Sequence, residues 1–155
     1  MSPSIAEIDA IATGTTAPRK FLELVAANGD VPALHSMKDA TPGSWNVWTY
    51  AQVADQVAQA AAGLLALGVQ PGERVLLMMR NRPDFHWLDL AAQFVRATPV
   101  SIYNSSSPEE IQYLSHHAEA RIAIVEDAGF LERMLKVKGE LPELQHVFVI
   151  EPPAD

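Results

Sequence analysis

The stretch Ala97–Asp127, ATPVSIYNSSSPEEIQYLSHHAEARIAIVED, decides the fold of this chain. Its run Thr98–Tyr103 predicts one strand, and the apolar run Arg121–Val125 predicts a second, buried strand. Between them, Ser107 and Glu110 have the spacing of a capping box at the start of a helix. A strand, a helix and a strand in this order form a βαβ unit, which predicts two parallel strands in one sheet.

The same alternation continues on both sides of this unit. Upstream, a helix ending at Gly68 precedes the buried strand Arg74–Met79 (RVLLMM), and Pro83 lies in the first turn of the next helix. Downstream, Asp127 is placed to cap a helix that leads to the strand His146–Ile150 (HVFVI). The order after residue 50 therefore predicts an α/β fold with a mainly parallel sheet and helices on both faces.

The sequence of the N-terminal third predicts one helix and two short strands. A helix over 18–28 is followed by two short strands, 31–37 and 45–49, which we expect to form a hairpin. Thr49 and Gln52 then form a second capping box, at the start of the helix that ends at Gly68.

Three segments make up the predicted domain organisation. Residues 1–17 are small and polar, so we expect a mobile N-terminal arm. Residues 18–150 form a single α/β subdomain. Residues 151–155, EPPAD, indicate a linker or a truncation point.

Composition excludes several function classes. The 155 residues carry a net charge of −8 and no cysteine, with 48% hydrophobic residues. The acidic balance argues against nucleic acid as a partner, and Arg80 and Arg82, the nearest approach to a basic cluster, are too few to make a binding face. The chain contains no apolar run of about 18 residues and no basic, apolar leader at its start, so we predict no transmembrane segment and a cytoplasmic location.

The motifs that could indicate a metal, anion or catalytic site are explained by local secondary structure. The neighbours His116 and His117 point in different directions on a helix and do not form an i, i+4 metal chelate. The polar run Asn104–Ser107 is explained as a turn and a helix cap, rather than as an anion site. The chain has neither GxSxG nor GxGxxG after a strand. We therefore assign no catalytic, cofactor-binding or metal-binding residue.

Several ordered blocks resemble one enzyme family. WTYAQVADQV at 48–57 is similar to the opening motif of adenylate-forming (AMP-binding) enzymes, and GVQPGERVLLMM at 68–79, with Asn81 after it, resembles a further block. YNSSSPEEI at 103–111 looks most like the long-chain fatty acyl-CoA synthetases. Over 18–152, the chain is thus identified as resembling the N-terminal portion of such a ligase, and its fold is expected to be part of that N-terminal domain.

Two segments depart from the family's pattern. Arg96–Tyr103 matches a family motif at Pro99 and Tyr103, but Arg96 stands where the family usually has glycine. If that site has a positive φ, arginine costs about 1 kcal/mol or more. Thr13–Lys20 looks like the family's phosphate loop, TSGTTGxPKG, but Ala17 replaces its second glycine and no buried strand precedes it. We interpret it as a polar arm before a helix.

The resemblance implies an activity for the complete enzyme. Such ligases use ATP, Mg²⁺ and coenzyme A to convert a fatty acid to its acyl-adenylate and then to acyl-CoA. The family's phosphate loop, metal-binding glutamate and C-terminal lysine follow the portion present here, so this chain is expected to be a fragment that is inactive alone. An apolar face left by the missing C-terminal portion predicts self-association.

Two other hypotheses remain open. The chain is alternatively a free-standing partner or regulatory domain that pairs with a separate ligase half. A third hypothesis is an unrelated flavodoxin-like domain, which would bind a small phosphate ligand at the carboxyl ends of its strands.

Overall fold

A computed structural model of the chain describes residues 4–38 and 42–152. It divides into two compact units, Met1–Gln56 and Val57–Asp155. The predicted subdomain over 18–150 spans parts of both units. Among the helices of the described ranges, none has the length and apolarity needed to cross a membrane.

The first unit contains helices and a hairpin. Its elements are α1 (Ile5–Ala12), α2 (Ala17–Asn28), β1 (Pro32–Met37), β2 (Trp45–Thr49) and the first turns of α3 (Tyr50–Ala66). β1 and β2 pair antiparallel, which confirms the predicted hairpin. At the start of α3, the Thr49 N–H donates to Gln52 Oε1 at 2.9 Å and the Gln52 N–H donates to Thr49 Oγ1 at 3.3 Å, so this capping box is confirmed.

Helix α1 lies inside the segment 1–17, for which the sequence predicted an arm without a helix. The helix begins with a capping box, in which the Glu7 N–H donates to Ser4 Oγ and the Ser4 N–H donates to Glu7 Oε2. The spacing of Ser4 and Glu7 is the sequence signal for this start, and the weak apolar periodicity that follows concealed it.

The second unit is built on a four-stranded parallel sheet. Its elements after α3 are β3 (Arg74–Met78), α4 (Pro83–Phe94), β4 (Thr98–Ser101), α5 (Pro108–Ala118), β5 (Ile122–Val125), α6 (Ala128–Lys138) and β6 (His146–Val149). The strand order is β4-β3-β5-β6, and each neighbouring pair is parallel. The predicted α/β alternation and parallel sheet are confirmed.

The two central strands of the sheet, β3 and β5, are buried on both faces. One face contributes Leu76, Met78, Ala123 and Val125 to a core that also contains buried side chains of α5 and α6, such as Ile111. The chain moves outward from β3 to β4 and then crosses back to β5. Because such crossovers are right-handed, this reversal places α4 on the face opposite α5 and α6. The helices on two faces agree with the fold predicted from the sequence.

Helix α3 ends at Gly68, as predicted. Gly68 has φ +77°, its N–H donates to Leu65 O at 2.9 Å, and the next residue's N–H donates to Leu64 O at 3.1 Å. These two bonds form a Schellman motif, in which the C′ residue adopts the left-handed conformation that glycine tolerates best.

The end of α4 has the same hydrogen-bond pattern, with arginine in the glycine position. Arg96 has φ +64°. Its N–H donates to Gln93 O at 3.0 Å, and the Ala97 N–H donates to Ala92 O at 2.9 Å. The Arg96 carbonyl also accepts from the Gly72 N–H at 2.9 Å, which ties this turn to the start of β3. The positive φ considered at this position is therefore present, and the left-handed backbone is strained there because arginine, unlike glycine, carries a Cβ atom.

We expect Arg96→Gly to stabilise the chain by about 1 kcal/mol, because glycine adopts a positive φ without a steric cost. Urea unfolding followed by circular dichroism measures the change. Arg96→Ala is the matched control: it removes the exposed guanidinium but keeps Cβ, so its stability should stay within about 0.5 kcal/mol of the parent. Equal stabilisation by both variants would show that the side-chain charge, rather than the backbone, is the source.

Candidate functional site

The carboxyl ends of β3 and β5 lie at the point where the strand order reverses. From β3 the chain proceeds to β4 on one side, and it later returns to β5 on the other side. In open α/β sheets this reversal leaves a crevice in which ligands bind. A ligand site of this fold is therefore expected at this edge of the sheet.

Glu126 occupies the crevice. Its residue surface is 7% exposed. One carboxylate oxygen accepts from the Arg80 backbone N–H at 2.6 Å, and the other accepts from the Arg80 guanidinium at 2.7 Å. The Glu126 N–H donates to Met78 O, and its carbonyl accepts from the Glu151 N–H. The chain thus places its own carboxylate between the strand ends.

An ionic network extends from this contact. The Arg80 guanidinium also contacts Asp127 Oδ2 at 2.8 Å. Arg82 contacts carboxylate oxygens of Asp84 at 2.7 Å and of Glu151 at 2.8 Å. Two guanidinium groups thus face four carboxylates, counting Glu126, so the network disfavours an anionic ligand. The sequence predicted that these two arginines are too few to form a binding face, and it carries no local signal for this ionic cluster.

Helix N-termini next to the network already have negatively charged partners. The Asp127 carboxylate accepts from the backbone N–H groups of Gly129 and Phe130 at 2.9 and 3.1 Å. Asp84 lies in the first turn of α4, and Glu110 completes the capping box of α5. A bound phosphate would compete with these carboxylates for the same N–H groups and dipoles. The geometry at this edge of the sheet therefore opposes a bound phosphate, and with it the flavodoxin-like hypothesis.

Phe130 joins the ionic network to the core. It is 2% exposed, and the guanidinium carbons of Arg80 and Arg133 lie 4.9 and 4.7 Å from its ring centroid. Arg133 Nη1 also donates to Asn104 O at 2.8 Å and to Ser106 O at 3.0 Å. The polar run after β4 is thus held by α6, and Ser107 caps α5 as predicted.

The other candidate motifs belong to other elements of the chain. Within Thr13–Lys20, residues 13–16 connect α1 to α2, and residues 17–20 form the first turn of α2, with Thr16 as its N-cap. A helix rather than a strand therefore precedes this motif. His117 stacks on Tyr113 with ring centroids 6.0 Å apart. Within residues 4–38 and 42–152, no three His, Asp or Glu side chains are grouped so as to hold a metal ion.

An open apolar groove of about 290 Å³ lies on the sheet face opposite α5 and α6. Its lining residues are mainly large hydrophobic side chains from the sheet, α3 and α4: Leu64, Leu67, Trp87, Leu88, Ile124, Phe148 and Ile150. The groove leaves hydrocarbon surface uncovered at the β6 side of the sheet.

The ionic network makes a prediction about acid stability. The hydrogen bond from Arg80 lowers the pKa of Asp127, assisted by the two capped backbone N–H groups. Because the pKa is lower in the folded chain, ionised Asp127 contributes stability above about pH 4, and this contribution is lost as the pH falls through the lowered pKa. We therefore expect Asp127→Asn to be destabilised at neutral pH and to converge with the parent in acid.

Urea unfolding of both proteins at a series of pH values tests this expectation. Asp55→Asn, which removes a negative charge from an exposed position of α3, controls for net charge. A stability difference between Asp127→Asn and the parent that does not change with pH would contradict the assignment.

Comparison with known proteins identifies the family. Residues 21–155 match the family described as AMP-binding enzyme. The chain belongs to this family of adenylate-forming ligases, and both its family and its fold agree with the sequence analysis.

Particular relatives differ widely in length. The uncharacterized protein Rv1549 of Mycobacterium tuberculosis is 34% identical over 142 residues, which cover 90% of this chain and 76% of that protein. The long-chain-fatty-acid–CoA ligase FadD15 of Mycobacterium bovis is 34% identical over 108 residues, or 70% of this chain but only 18% of the ligase. The crystal structure of the anthranilate CoA ligase AuaEII in complex with anthranoyl-AMP superposes with a TM-score of 0.78 at 26% identity, over 88% of this chain and 25% of the ligase.

Proposed function

We propose that the chain is a scaffold of an ATP-dependent fatty acid–CoA ligase, in which residues 18–150 form the N-terminal part of the AMP-binding domain. The observation that carries this proposal is the crevice at the carboxyl ends of β3 and β5. There the chain's own Glu126 carboxylate accepts from the Arg80 backbone N–H and guanidinium, which supports a scaffold role over a nucleotide site between these strand ends.

The match to FadD15 supports the substrate class. In the proposed enzyme, ATP, Mg²⁺, coenzyme A and the fatty acid bind to the remainder of the ligase, while this chain packs against that remainder. The apolar groove is one surface on which such packing would bury hydrocarbon. The proposed location is the cytoplasm, consistent with a chain that contains no cysteine.

Fatty-acid-dependent exchange of pyrophosphate into ATP tests the scaffold role. This exchange reports acyl-adenylate formation. The chain alone should show no exchange above a protein-free control at any fatty acid chain length. Exchange that requires both the chain and a fatty acid would overturn the proposal that its role is scaffolding.

A second candidate is a free-standing partner or regulatory domain. The observation in its favour is Rv1549, in which the matched 142 residues already make up 76% of the protein. In this case the chain binds a separately encoded ligase or ligase half. Titrating the chain into FadD15 lacking the matched segment, and separately into full-length FadD15, distinguishes the two roles. Restored activity of the shortened ligase supports pairing, whereas a changed rate of the intact ligase supports regulation.

A further inference from the structure

One face of the β1–β2 hairpin carries four exposed side chains. Met37 lies opposite Trp45 across the two strands. Two residues further from the turn, His35 lies opposite Val47. Because side chains alternate between the faces of a strand, these four share one face. The rings of His35 and Trp45 lie edge to face with centroids 6.4 Å apart, which agrees with this arrangement.

Met37 and Trp45 are the pair of this face that lies next to the turn. The following pair, Lys38 and Ser44, is joined by a hydrogen bond from the Lys38 N–H to Ser44 O at 2.9 Å. Hydrogen-bonded and non-hydrogen-bonded pairs alternate along an antiparallel ladder, so Met37 and Trp45 form a non-hydrogen-bonded pair, in which side chains approach most closely. This register places the thioether beside the indole, and sulfur–aromatic contacts are favourable.

Among the methionines that the structure describes, Met37 alone is exposed. Its exposed fraction is 58%, whereas Met78, Met79 and Met134 are at most 7% exposed. Oxidation of a thioether requires that the oxidant reach the sulfur. The three buried sulfurs are therefore protected while the fold is intact, and the sulfur of Met37 is not.

The place of Met37 in the chain favours access in a longer protein as well. The hairpin belongs to the first compact unit, whereas every residue that lines the apolar groove, the surface proposed to contact the remainder of a ligase, belongs to the second unit. Met37 also directly precedes the polar turn over 38–44 (KDATPGS), and connecting segments of this kind run over protein surfaces. The exposure of Met37 therefore follows from its own hairpin and does not depend on whether the groove is covered.

We propose that Met37 is a site of reversible oxidation by peroxides, and that the resulting sulfoxide weakens the hairpin. The thioether sulfur attacks one oxygen of hydrogen peroxide, so that an S–O bond forms and the O–O bond breaks. Sulfur gives up two electrons, and the departing hydroxide takes the proton of the transferred oxygen and leaves as water. Methionine sulfoxide reductases reverse the step with two thiols, which become a disulfide while the oxygen leaves as water. The proposal does not rest on the proposed function.

The sulfoxide changes the pair to which it belongs. It is polar, so the apolar contact between Met37 and Trp45 is lost. The hydrogen bond from the Lys38 N–H to Ser44 O is the one next to this pair, which makes the Lys38 amide a reporter of hairpin opening. Cross-strand pairs stabilise a hairpin modestly, so the loss should make this amide exchange with solvent about two- to fivefold faster.

Peptide mapping by mass spectrometry after brief treatment with hydrogen peroxide tests the site. We expect the peptide that contains Met37 to gain one oxygen about tenfold faster than the peptides that contain Met78 and Met79 or Met134. Incubation with methionine sulfoxide reductases A and B and dithiothreitol should remove that oxygen. Equal rates for Met37 and the buried methionines would overturn the assignment, and so would an oxygen on Met37 that the reductases do not remove.

Hydrogen exchange of the hairpin, with and without prior oxidation, tests the structural consequence. Met37→Leu is the matched control, because leucine keeps an apolar side chain but has no sulfur. Peroxide should accelerate exchange of the Lys38 amide in the parent and leave it unchanged in Met37→Leu. Equal exchange in the oxidised and reduced parent, or the same acceleration in both proteins, would contradict the proposal.

Discussion

Replacing Phe130 with alanine is expected to destabilise the chain by about 3 to 5 kcal/mol, the largest effect of any substitution considered. The ring is 2% exposed and packs among the core side chains beneath α5 and α6. Its removal leaves a cavity and also removes the surface on which the guanidinium groups of Arg80 and Arg133 rest. The loss therefore affects the core and the ionic network together.

Urea unfolding followed by circular dichroism measures this change. Phe130→Leu serves as the control, because it keeps much of the apolar volume and should cost less than about 1.5 kcal/mol. Domains are stable by only about 5 to 15 kcal/mol, so the alanine variant could be unfolded. The leucine variant would then still give a free energy of unfolding to compare with that of the parent. A loss of less than 1.5 kcal/mol for Phe130→Ala would show that the ring is not part of a tightly packed core.

Replacing Glu126 with alanine is expected to cost about 2 to 3 kcal/mol, because the variant loses a charge-assisted bond and leaves the Arg80 N–H without its acceptor. The carboxylate is buried at the end of β5, and its contacts with Arg80 hold this strand end to the end of β3. Glu126→Gln keeps an acceptor oxygen, so it should lose less than the alanine variant.

A matched control for Glu126 is available on the surface of α6. Glu132 pairs with Lys136 at 2.9 Å, and its side chain is 69% exposed. Glu132→Ala should change the free energy of unfolding by no more than about 0.5 kcal/mol, because exposed ion pairs contribute little. If Glu126→Ala were as mild as this control, the network would be a surface feature and not the filling of the crevice.

Local signals made most of the fold predictable. The capping boxes at Thr49 and Ser107, the glycine stop at Gly68 and the buried runs of β3 and β5 each depend on residues within one turn or strand, and each was confirmed. A positive φ at Arg96 was considered because the family that the sequence resembles usually has glycine at this position. Helix α1 was missed because its apolar pattern is weak.

The ionic network could not be predicted in the same way. Its central groups, Arg80, Glu126 and Glu151, belong to three segments separated by many residues, and only the strand order brings them together. Parallel pairing implied that the segments after β3 and β5 meet at one edge. The pairing of the charged groups at this edge depends on side-chain geometry. Hydrophobic periodicity and capping rules do not predict that geometry.

The central claim is that this chain supplies the structural N-terminal part of a fatty acid–CoA ligase, whose chemistry resides elsewhere. A chimera tests it most directly, in which the matched part of this chain replaces the corresponding 108 residues of Mycobacterium bovis FadD15. The measurement is acyl-CoA formation from a long-chain fatty acid, with the ligase lacking that segment as the control. We predict that the chimera forms acyl-CoA and that the shortened ligase does not. A folded chimera that forms none would contradict the account.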